Sequence, residues 1–476
     1  MKIFSVFSWL IISILFLTTS SRAEETSTDN LLDLLQEKKL ITPEEAAGFR
    51  ADRAIKEAEG PKTPKLEVGP TGFRLSSYDG AHFVNIRGSV QTDGKFFMDD
   101  KDNTAGSNLT DKFELKQARI RLEGRLLKYF DFKIMPDFGG GSIRLQDAFF
   151  DTHYFSFASL NVGKQKVPLI LERLQGENDF TFLERAYPTY LASNRDIGVM
   201  LHGEFAKPGH DAEYTGTLDF KNFISYQLGV FNGVGDNGFS NNTDVDDNKE
   251  FAGRIWAHPF QPSGIAILDK LGIGMSGSWQ QPHNESLTNL PSPNGQNTIV
   301  DYSKRASGIT ALTASGGDHS RVSPQAYWYY GPYGLLGEYA VSSQELLAIT
   351  GGQKADIRQE NKAWQVQASY VVTGEDNTFQ SVKPRENFDP RNRKWGALQL
   401  AARLTELDID DDTFLFLDPA SSVTKATTWT VGANWFLNRY TRIMADYEET
   451  YFDGGAANGE DRRTEKVFST RFQLSF

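Results

Sequence analysis

Polar and apolar side chains alternate with a period of two from about residue 81 to the C-terminus. Around Ile86 and Val90, polar residues such as Arg87 occupy the alternate positions. Because successive side chains of a β-strand point to opposite faces, each such segment has one apolar face and one charged face. The sequence therefore predicts an all-β fold. The same alternation recurs at residues 117–126, 130–138, 224–230, 398–404 and 429–435.

Alternation alone fits a soluble β-sandwich as well as a membrane barrel, but three further features favour the barrel. The chain ends in a strand whose last residue, Phe476, carries the free carboxylate. Bacterial outer-membrane barrels commonly end in this way, and their assembly machinery reads that end. Tight turns such as residues 436–439 alternate with long polar loops such as residues 282–321, and aromatic residues collect at segment ends, as at residues 328–330. We therefore predict a transmembrane antiparallel β-barrel of about sixteen strands, surrounded by outer-membrane lipid and enclosing water.

The first 80 residues follow other patterns. A basic start, an apolar run and small residues ending at Ala23 predict a signal peptide over residues 1–23, which export would remove. Residues 24–60 have leucines at helical spacing and a capping box at residues 42–45, which predict a short N-terminal periplasmic α-helical segment. This segment is either a coiled coil that sets the oligomer register or a plain helical spacer. Residues 61–80 are predicted to be a linker, and residues 81–476 the barrel.

Composition excludes several classes of function. The chain has no cysteine, so disulfides and thiolate chemistry are absent, and its net charge of −12 argues against a nucleic-acid partner. The seven histidines are scattered and no catalytic motif is present, so we predict neither an enzyme nor a cofactor. Acidic clusters at residues 99–102, 244–247 and 408–412 offer oxygen ligands for divalent cations. Such short runs are more often solvated, and we predict no metal site.

Several stretches, taken in order along the chain, resemble the phosphate-selective porin O and P family. They are residues 113–124, 130–133, 162–168, 171–173, 182–185, 230–233, 395–397, 431–438 and 470–473. The resemblance covers nearly the whole chain after the signal peptide. It implies a sixteen-stranded barrel, a homotrimer, and an anion path lined by arginine and lysine, with phosphate or polyphosphate as solutes. This chain departs from that pattern because its inward-facing positions are not uniformly basic.

Because alternate side chains of a strand point to opposite faces, the odd or even position of a residue along its strand, here called strand parity, predicts which charged residues face the lumen. The basic set is Arg87, Arg119, Arg121, Arg125, Lys133, Arg254, Arg403, Arg442 and Arg471. Fixed positive charge in a narrow, partly dehydrated passage favours anions, and the planar fork of arginine suits phosphate. Parity also turns Glu123, Asp131, Asp137, Asp446 and Glu448 inward, so the alternative is that these arginines merely pair with carboxylates.

Residues 168–196 are the best candidate for a constriction loop folded into the pore, because much of this stretch lacks strand alternation. It contributes Arg173 and Arg185 to the predicted anion-binding residues. A wide barrel discriminates among small ions only where something narrows it. The alternative is a loop packed against a neighbouring subunit.

The leading functional hypothesis is an outer-membrane porin for passive diffusion of small anions, with phosphate or polyphosphate as candidates. The alternative is a general-diffusion porin with little anion preference. The third hypothesis is a different class of protein, either an outer-membrane barrel hydrolase or a periplasmic β-sandwich binding protein. Ion conductance in a planar bilayer distinguishes the three.

Overall fold

The computed structural model describes residues 32–58, 63–69, 72–98, 109–206, 222–240 and 246–476. The predicted signal peptide and the acidic cluster at residues 99–102 lie outside the described residues. The chain divides into two compact units. The first includes the described residues 32–58, 63–65 and 77–79, and the second includes those of residues 66–76 and 80–476.

The described residues of the first unit form two helices, α1 at residues 32–37 and α2 at Pro43–Ala58. Helix α2 begins with a reciprocal capping box, because Glu45 N donates to Thr42 Oγ1 at 3.1 Å and Thr42 N donates to Glu45 Oε2 at 2.8 Å. An ion pair of 2.5 Å between Arg50 and Asp33 joins the helices. Among the helices described, none is both long enough and apolar enough to cross a membrane.

The second unit is built almost entirely of strands. They are β1 (Lys65–Gly69), β2 (Gly72–Ser76), β3 (Phe83–Phe97), β4 (Lys112–Leu126), β5 (Phe130–Asp137), β6 (Arg144–Phe155), β7 (Ala158–Lys166), β8 (Arg195–Phe205), β9 (Ile224–Phe231), β10 (Glu250–Ala257), β11 (Leu271–Gln280), β12 (Leu290–Pro291), β13 (Thr298–Val300), β14 (Ile309–Ala314), β15 (His319–Tyr330), β16 (Tyr333–Thr350), β17 (Gln353–Val371), β18 (Ala397–Asp408), β19 (Val423–Phe436), β20 (Thr441–Gly454) and β21 (Glu465–Ser475). A short helix, α3 (Leu171–Leu174), and 3₁₀ turns at Tyr187–Leu191, Gln261–Ser263, Pro390–Asn392, Asp411–Leu415 and Ala457–Gly459 lie in the connections.

Sixteen of the described strands close into an antiparallel barrel, which confirms the predicted fold. Strands β3 to β11 pair in order, β11 pairs with β15, and β15 to β21 again pair in order. The ring closes where β21 pairs with β3, with Arg471 opposite Asp93. At this seam the backbone of Phe476 exchanges hydrogen bonds of 2.8 and 2.9 Å with Gly88. A Cβ at residue 88 would overlap the end of the Phe476 ring, so any larger residue there would require this ring to move.

The other strands extend this ring. Strand β2 continues the ladder along the first residues of β3, with Phe73 opposite Ile86, so the predicted linker at residues 61–80 contains two strands. Its short alternating stretch was hidden by the flanking prolines and glycines. Strand β14 pairs with the last residues of β16, and β12 pairs with β13.

The sidedness predicted from strand parity is present in the barrel wall. Outward-facing Phe472 and Leu228 are 60% and 56% exposed, whereas inward-facing Gln91 and Arg471 are 2% and 1% exposed. An apolar outer surface around a polar interior is the arrangement that lipid outside and water inside require.

The two ends of the barrel differ in their connections. At the end that holds Phe476, here called the turn end, most connections are short, but residues 372–396 form a long one between β17 and β18. At the opposite loop end, only Gly351 and Gly352 join β16 to β17, and both have positive φ. Short turns and long loops are therefore not strictly segregated. At the loop end β16 and β17 continue past the barrel wall, and β16 pairs there with β14.

Candidate pore lining and constriction

Residues 167–194, here called the inner segment, connect β7 to β8 and cross the barrel interior. Three arginines on the far wall donate hydrogen bonds to its backbone carbonyls: Arg403 of β18 to Glu184 O at 2.7 Å, Arg442 of β20 to Phe180 O at 2.8 Å, and Arg471 of β21 to Leu183 O at 2.7 Å. Strands β18 to β21 stand across the ring from β7 and β8. The inner segment is therefore attached to both sides of the lumen.

Side chains of the wall also bind the inner segment's backbone N–H groups. Glu338 of β16 accepts from Leu171 N at 2.7 Å, and Asp446 of β20 accepts from Leu183 N at 2.8 Å. The segment has few regular backbone partners of its own, so these long-range contacts satisfy groups that would otherwise be buried without a hydrogen bond. The position of the segment is thus specified by polar residues of the barrel wall.

An apolar core fills part of the loop-end lumen. The inner segment packs there against residues 281–318, here called the upper segment, and against wall residues from β8–β10 and β16–β20. The members of this core include Val167, Ile170, Tyr187, Leu191, Leu290, Ile299, Val300, Leu407 and Val423, each at most 2% exposed. Water and ions are excluded from such a packed region. The polar part of the loop-end lumen therefore lies along the opposite wall, near β3, β4 and β21.

Residues 372–396, here called the turn-end segment, enter the barrel from the other end. Gln175 of the inner segment donates to Phe379 O at 2.6 Å, and Ser381 N donates to Asp179 at 3.1 Å. The Phe379 ring stacks on Tyr327 of β15 with centroids 5.3 Å apart. Sequence reading missed this insertion, although Phe379 and Val382 stand out as apolar residues in a polar connection.

A cavity of about 810 Å³ remains between these segments and the wall of β3–β9, towards the turn end. Ten basic side chains line it: Arg87, Arg119, Arg121, Arg125, Lys133, Lys166, Arg195, Lys383, Arg439 and Arg442. Seven acidic side chains line it: Glu123, Asp131, Asp147, Asp151, Glu177, Asp179 and Glu204. The lining described thus carries a surplus of positive charge.

Six of the eleven predicted anion-binding residues line this cavity, namely Arg87, Arg119, Arg121, Arg125, Lys133 and Arg442. Most of them contact a carboxylate. Arg125 forms a bidentate pair with Asp131 at 2.7 and 2.9 Å, and Lys133 lies 2.7 Å from Asp147. Arg119 is 2.7 Å from Asp137 and also pairs with Glu177. Pairing of this kind is the alternative that the sequence left open.

The carboxylates of the cavity are shared, however. Glu123 lies 3.1 Å from Arg87 and 4.0 Å from Arg121, two arginines that stand directly opposite each other on β3 and β4. Arg87 and Arg121 remain 34% and 31% exposed. Like charges directly opposite each other on neighbouring strands repel, and one carboxylate neutralises only one of them. This pair is therefore the clearest source of uncompensated positive charge facing the cavity.

A second shared cluster anchors the inner segment. Asp147 contacts both Lys133 and Arg195 at 2.7 Å. Glu177 of the inner segment pairs with Arg119, with Arg185 at 3.4 Å and with Arg195 at 3.6 Å. With Asp137 beside Arg119, the cluster holds three carboxylates against four cations, so a surplus of one positive charge remains while Glu177 ties the segment to β4 and β8.

The other five predicted residues lie outside the cavity lining, because each is turned into a buried contact. Arg173 donates to Thr189 O within the inner segment, and Arg185 stacks on Phe180 at 4.2 Å. Burial lowers the pKa of Arg185 to about 10. Arg254 of β10 donates to Gln325 at 3.1 Å and lies over the Trp256 ring, which is 4.7 Å away.

Arg403 and Arg471 are the last two of these five residues. Both lie on the barrel wall and bind the inner segment. Arg403 lies 3.4 Å from Glu448, and Arg471 forms a bidentate pair with Asp93 at 2.7 Å. Strand parity predicted that these side chains point inward, but parity does not predict that a loop fills the space in front of them.

Sequence reasoning missed four basic residues of the lining. Lys166 and Arg195 end β7 and begin β8, where alternation gives way to the inner segment. Lys383 and Arg439 lie in turn-end connections, where strand parity predicts nothing. Lys166 lies in the family-like stretch 162–168 and Arg195 in the predicted constriction loop, whereas the sign of charge was the sequence signal for Lys383 and Arg439.

Comparison with known proteins agrees with this architecture. The family model described as "Phosphate-selective porin O and P" matches residues 84–476. Porin O of Pseudomonas aeruginosa is 23% identical over 425 residues, which cover 85% of this chain and 91% of that protein.

A solved outer membrane channel shows the same fold. The outer membrane channel DcaP of Acinetobacter baumannii matches with a TM-score of 0.52 at 12% identity, covering 84% of this chain and 99% of that one. OmpT of Vibrio cholerae matches with a TM-score of 0.47 at 12% identity, covering 83% and 98%. The predicted resemblance and the predicted location are confirmed: the chain belongs to the phosphate-selective porin O and P family and forms a channel in the cell outer membrane.

Proposed function

We propose that this channel allows passive diffusion of small anions, inorganic phosphate among them, through a water-filled path along β3, β4 and β21. The observation that carries the proposal is the surplus of basic over acidic side chains around the cavity, ten against seven. Fixed charge of one sign in a confined, low-dielectric passage raises the local concentration of counter-ions. The description of the family as phosphate-selective supports the same class of solute.

The proposed path runs from one end of the barrel to the other along polar side chains. At the loop end Lys116 of β4 is 31% exposed. Midway, the amides of Gln91 and Gln473 hydrogen-bond each other at 2.9 Å, and Gln91 also reaches Asn178 of the inner segment at 3.3 Å. Arg87 then faces the cavity at the turn end. The apolar core occupies part of the remaining loop-end lumen. The upper segment also contacts β20 and β21 there, where Ser292 donates to Glu465 and Asn294 N donates to Glu448, both at 2.7 Å. The hydrated route at this end is therefore proposed beside β3 and β4.

The inner segment is proposed to act as the constriction loop. A sixteen-stranded barrel is too wide to distinguish small ions by itself, and the segment narrows it to the space beside β3 and β4. In this role Arg403, Arg442 and Arg471 position the segment, while Arg173 and Arg185 stabilise it from within.

A general-diffusion porin with little anion preference is the second candidate. It is favoured by the close pairing of Arg119, Arg125 and Lys133 with carboxylates, which removes much of their field. The two candidates make opposite predictions about ion selectivity at low salt.

The remaining proposals concern export and assembly. Residues 1–23 are removed as a signal peptide, residues 24–60 stand in the periplasm, and three copies assemble into a trimer. The C-terminal Phe476 is the recognition element for the barrel-assembly machinery. No catalytic activity and no cofactor are part of the proposed function.

Reconstitution into a planar bilayer under a salt gradient tests the proposal. An anion-biased reversal potential supports anion diffusion, and a value near zero supports the general-diffusion alternative. Absence of any conductance from protein with heat-modifiable gel migration contradicts both.

A further inference from the structure

Glu184 of the inner segment lies among three cations of the barrel wall. Its carboxylate pairs with Lys116 of β4 and lies 3.5 Å from Arg471 of β21. Lys95 of β3 is close enough to attract it electrostatically. These cations come from three adjacent strands, and a carboxylate in their midst stands where an oxyanion would bind.

Lys95 gives independent evidence for a binding site. It is 1% exposed, and its Nζ donates no hydrogen bond to any atom of the residues that the structure describes. Its Nζ lies 3.3 Å from Oε1 of Glu114, a carboxylate whose other oxygen lies 2.9 Å from Lys112. An ammonium has three donors, and leaving all of them unused in a buried position is costly. The Lys95 ammonium can therefore donate to a further oxygen ligand.

The charges around Glu184 are balanced only while its carboxylate is present. Lys116 makes its ion pair with Glu184, and Arg471 is already bound to Asp93 through both carboxylate oxygens. Although burial acts to raise it, the pKa of Glu184 is lowered to about 2 by Lys116, Lys95 and Arg471. The side chain is thus ionised at neutral pH and acts as an internal anion.

We propose that the Glu184 carboxylate is a tethered occupant of an oxyanion site formed by Lys95, Lys116 and Arg471, and that inorganic phosphate binds this site when the carboxylate is removed. The inference rests on the proposed anion path and names a binding site on it. A tethered group competes at a high effective concentration, in the millimolar range for a short flexible link. Phosphate in the wild-type channel is therefore displaced quickly, which favours passage over retention.

The test measures how inorganic phosphate blocks the chloride current of single channels in a planar bilayer. Glu184→Gln removes the charge, and because its neutral amide is no longer held among the three cations, phosphate can displace it from the site. We expect saturable block, with a half-blocking phosphate concentration about tenfold or more below that of the wild type. Glu360→Gln makes the same charge change on the exposed part of β17, outside the lumen, and should leave the half-blocking concentration unchanged.

A double variant identifies the site. Adding Lys95→Met to Glu184→Gln should return the half-blocking concentration towards the wild-type value, because one of the three cations is gone. Equal block in the wild type and in Glu184→Gln would overturn the proposal, as would strong block that persists in the double variant. Heat-modifiable gel migration verifies that each variant is folded. If Glu184→Gln fails to fold, Glu184→Asp, whose carboxylate is one methylene shorter, should give an intermediate half-blocking concentration, and an unchanged one would overturn the proposal.

The outcomes also separate this inference from the proposed function. A wild-type channel with an anion-biased reversal potential, but no phosphate block in Glu184→Gln, refutes the tethered-occupant site alone. A wild-type channel without anion bias refutes the proposed function first.

Discussion

Arg87 and Arg121 provide the sharpest test of how the channel would select anions. They face each other on β3 and β4, share the single carboxylate of Glu123, and are each about one-third exposed to the cavity. Replacing both with glutamine leaves Glu123 unpaired and lowers the basic lining from ten side chains to eight, against seven acidic ones. Two of the three surplus positive charges are thereby removed.

The size of the effect follows from Coulomb's law. At about 8 Å, one unit charge attracts an anion by about 0.5 kcal/mol in water and by about 2 kcal/mol at an effective dielectric constant near 20. Each lost arginine should therefore lower anion occupancy by about two- to thirtyfold at low salt. The effect shrinks when the Debye length, about 10 Å at 0.1 M salt, falls below the distance between ion and wall.

The assay is the reversal potential of single channels under a potassium chloride gradient, measured at low and at high ionic strength. The double variant should move the reversal potential from anion-biased towards zero, and the shift should weaken in high salt. Arg358→Gln, on the exposed part of β17, removes the same charge outside the lumen and serves as the control. An unchanged reversal potential in a folded Arg87→Gln, Arg121→Gln channel would refute the assignment of these residues to the anion path.

Three further predictions concern the contacts that hold the interior together. Arg471→Met leaves Asp93 buried without a partner and should lower the free energy of unfolding by about 3–5 kcal/mol. Its heat-dependent shift in gel migration should then occur at a lower temperature. Adding Asp93→Asn should recover part of the lost stability. Phe379→Ala removes the stacking on Tyr327 and should raise single-channel conductance by loosening the turn-end segment; equal conductance would contradict its role as an obstruction. Burial raises the pKa of Glu285 to about 7, so its neutral form is favoured in the fold and stability is lost as pH rises from about 4.5 to 7. Hydrogen exchange of residues 281–318, corrected for intrinsic rate, should increase between pH 5 and 8 in the wild type but not in Glu285→Gln.

Much of the fold could be predicted from the sequence because it depends on a local pattern. Alternation of side chains fixes which face of a strand meets lipid, and Phe472 and Gln91 lie on the faces that the pattern assigns. The two-glycine turn between β16 and β17 was less predictable, because the length of β16 depends on pairing with β14, which lies elsewhere in the chain.

The interior was predictable only in part, because its contacts join residues far apart in sequence. The carbonyl of Phe180 is bound by Arg442, 262 positions away, and that of Leu183 by Arg471, 288 positions away. Strand parity correctly orients such arginines inward but contains no information about a loop in front of them. The turn-end segment was missed for the same reason, since its apolar residues pack on strands that are remote in the chain.

The pairing of charges inside the barrel follows from strand register, so an inward-facing arginine does not by itself add positive field to the lumen. Across β4 and β5, Arg125 stands opposite Asp131 and Arg119 opposite Asp137, so each pair is set once the tight turn at residues 127–129 fixes the register. An arginine opposite a carboxylate contributes little field, whereas Arg121 stands opposite another arginine. The selectivity of such a lumen therefore depends less on how many arginines face inward than on how many cations share each carboxylate. By that measure the positive field is strongest at Glu123, which two arginines share.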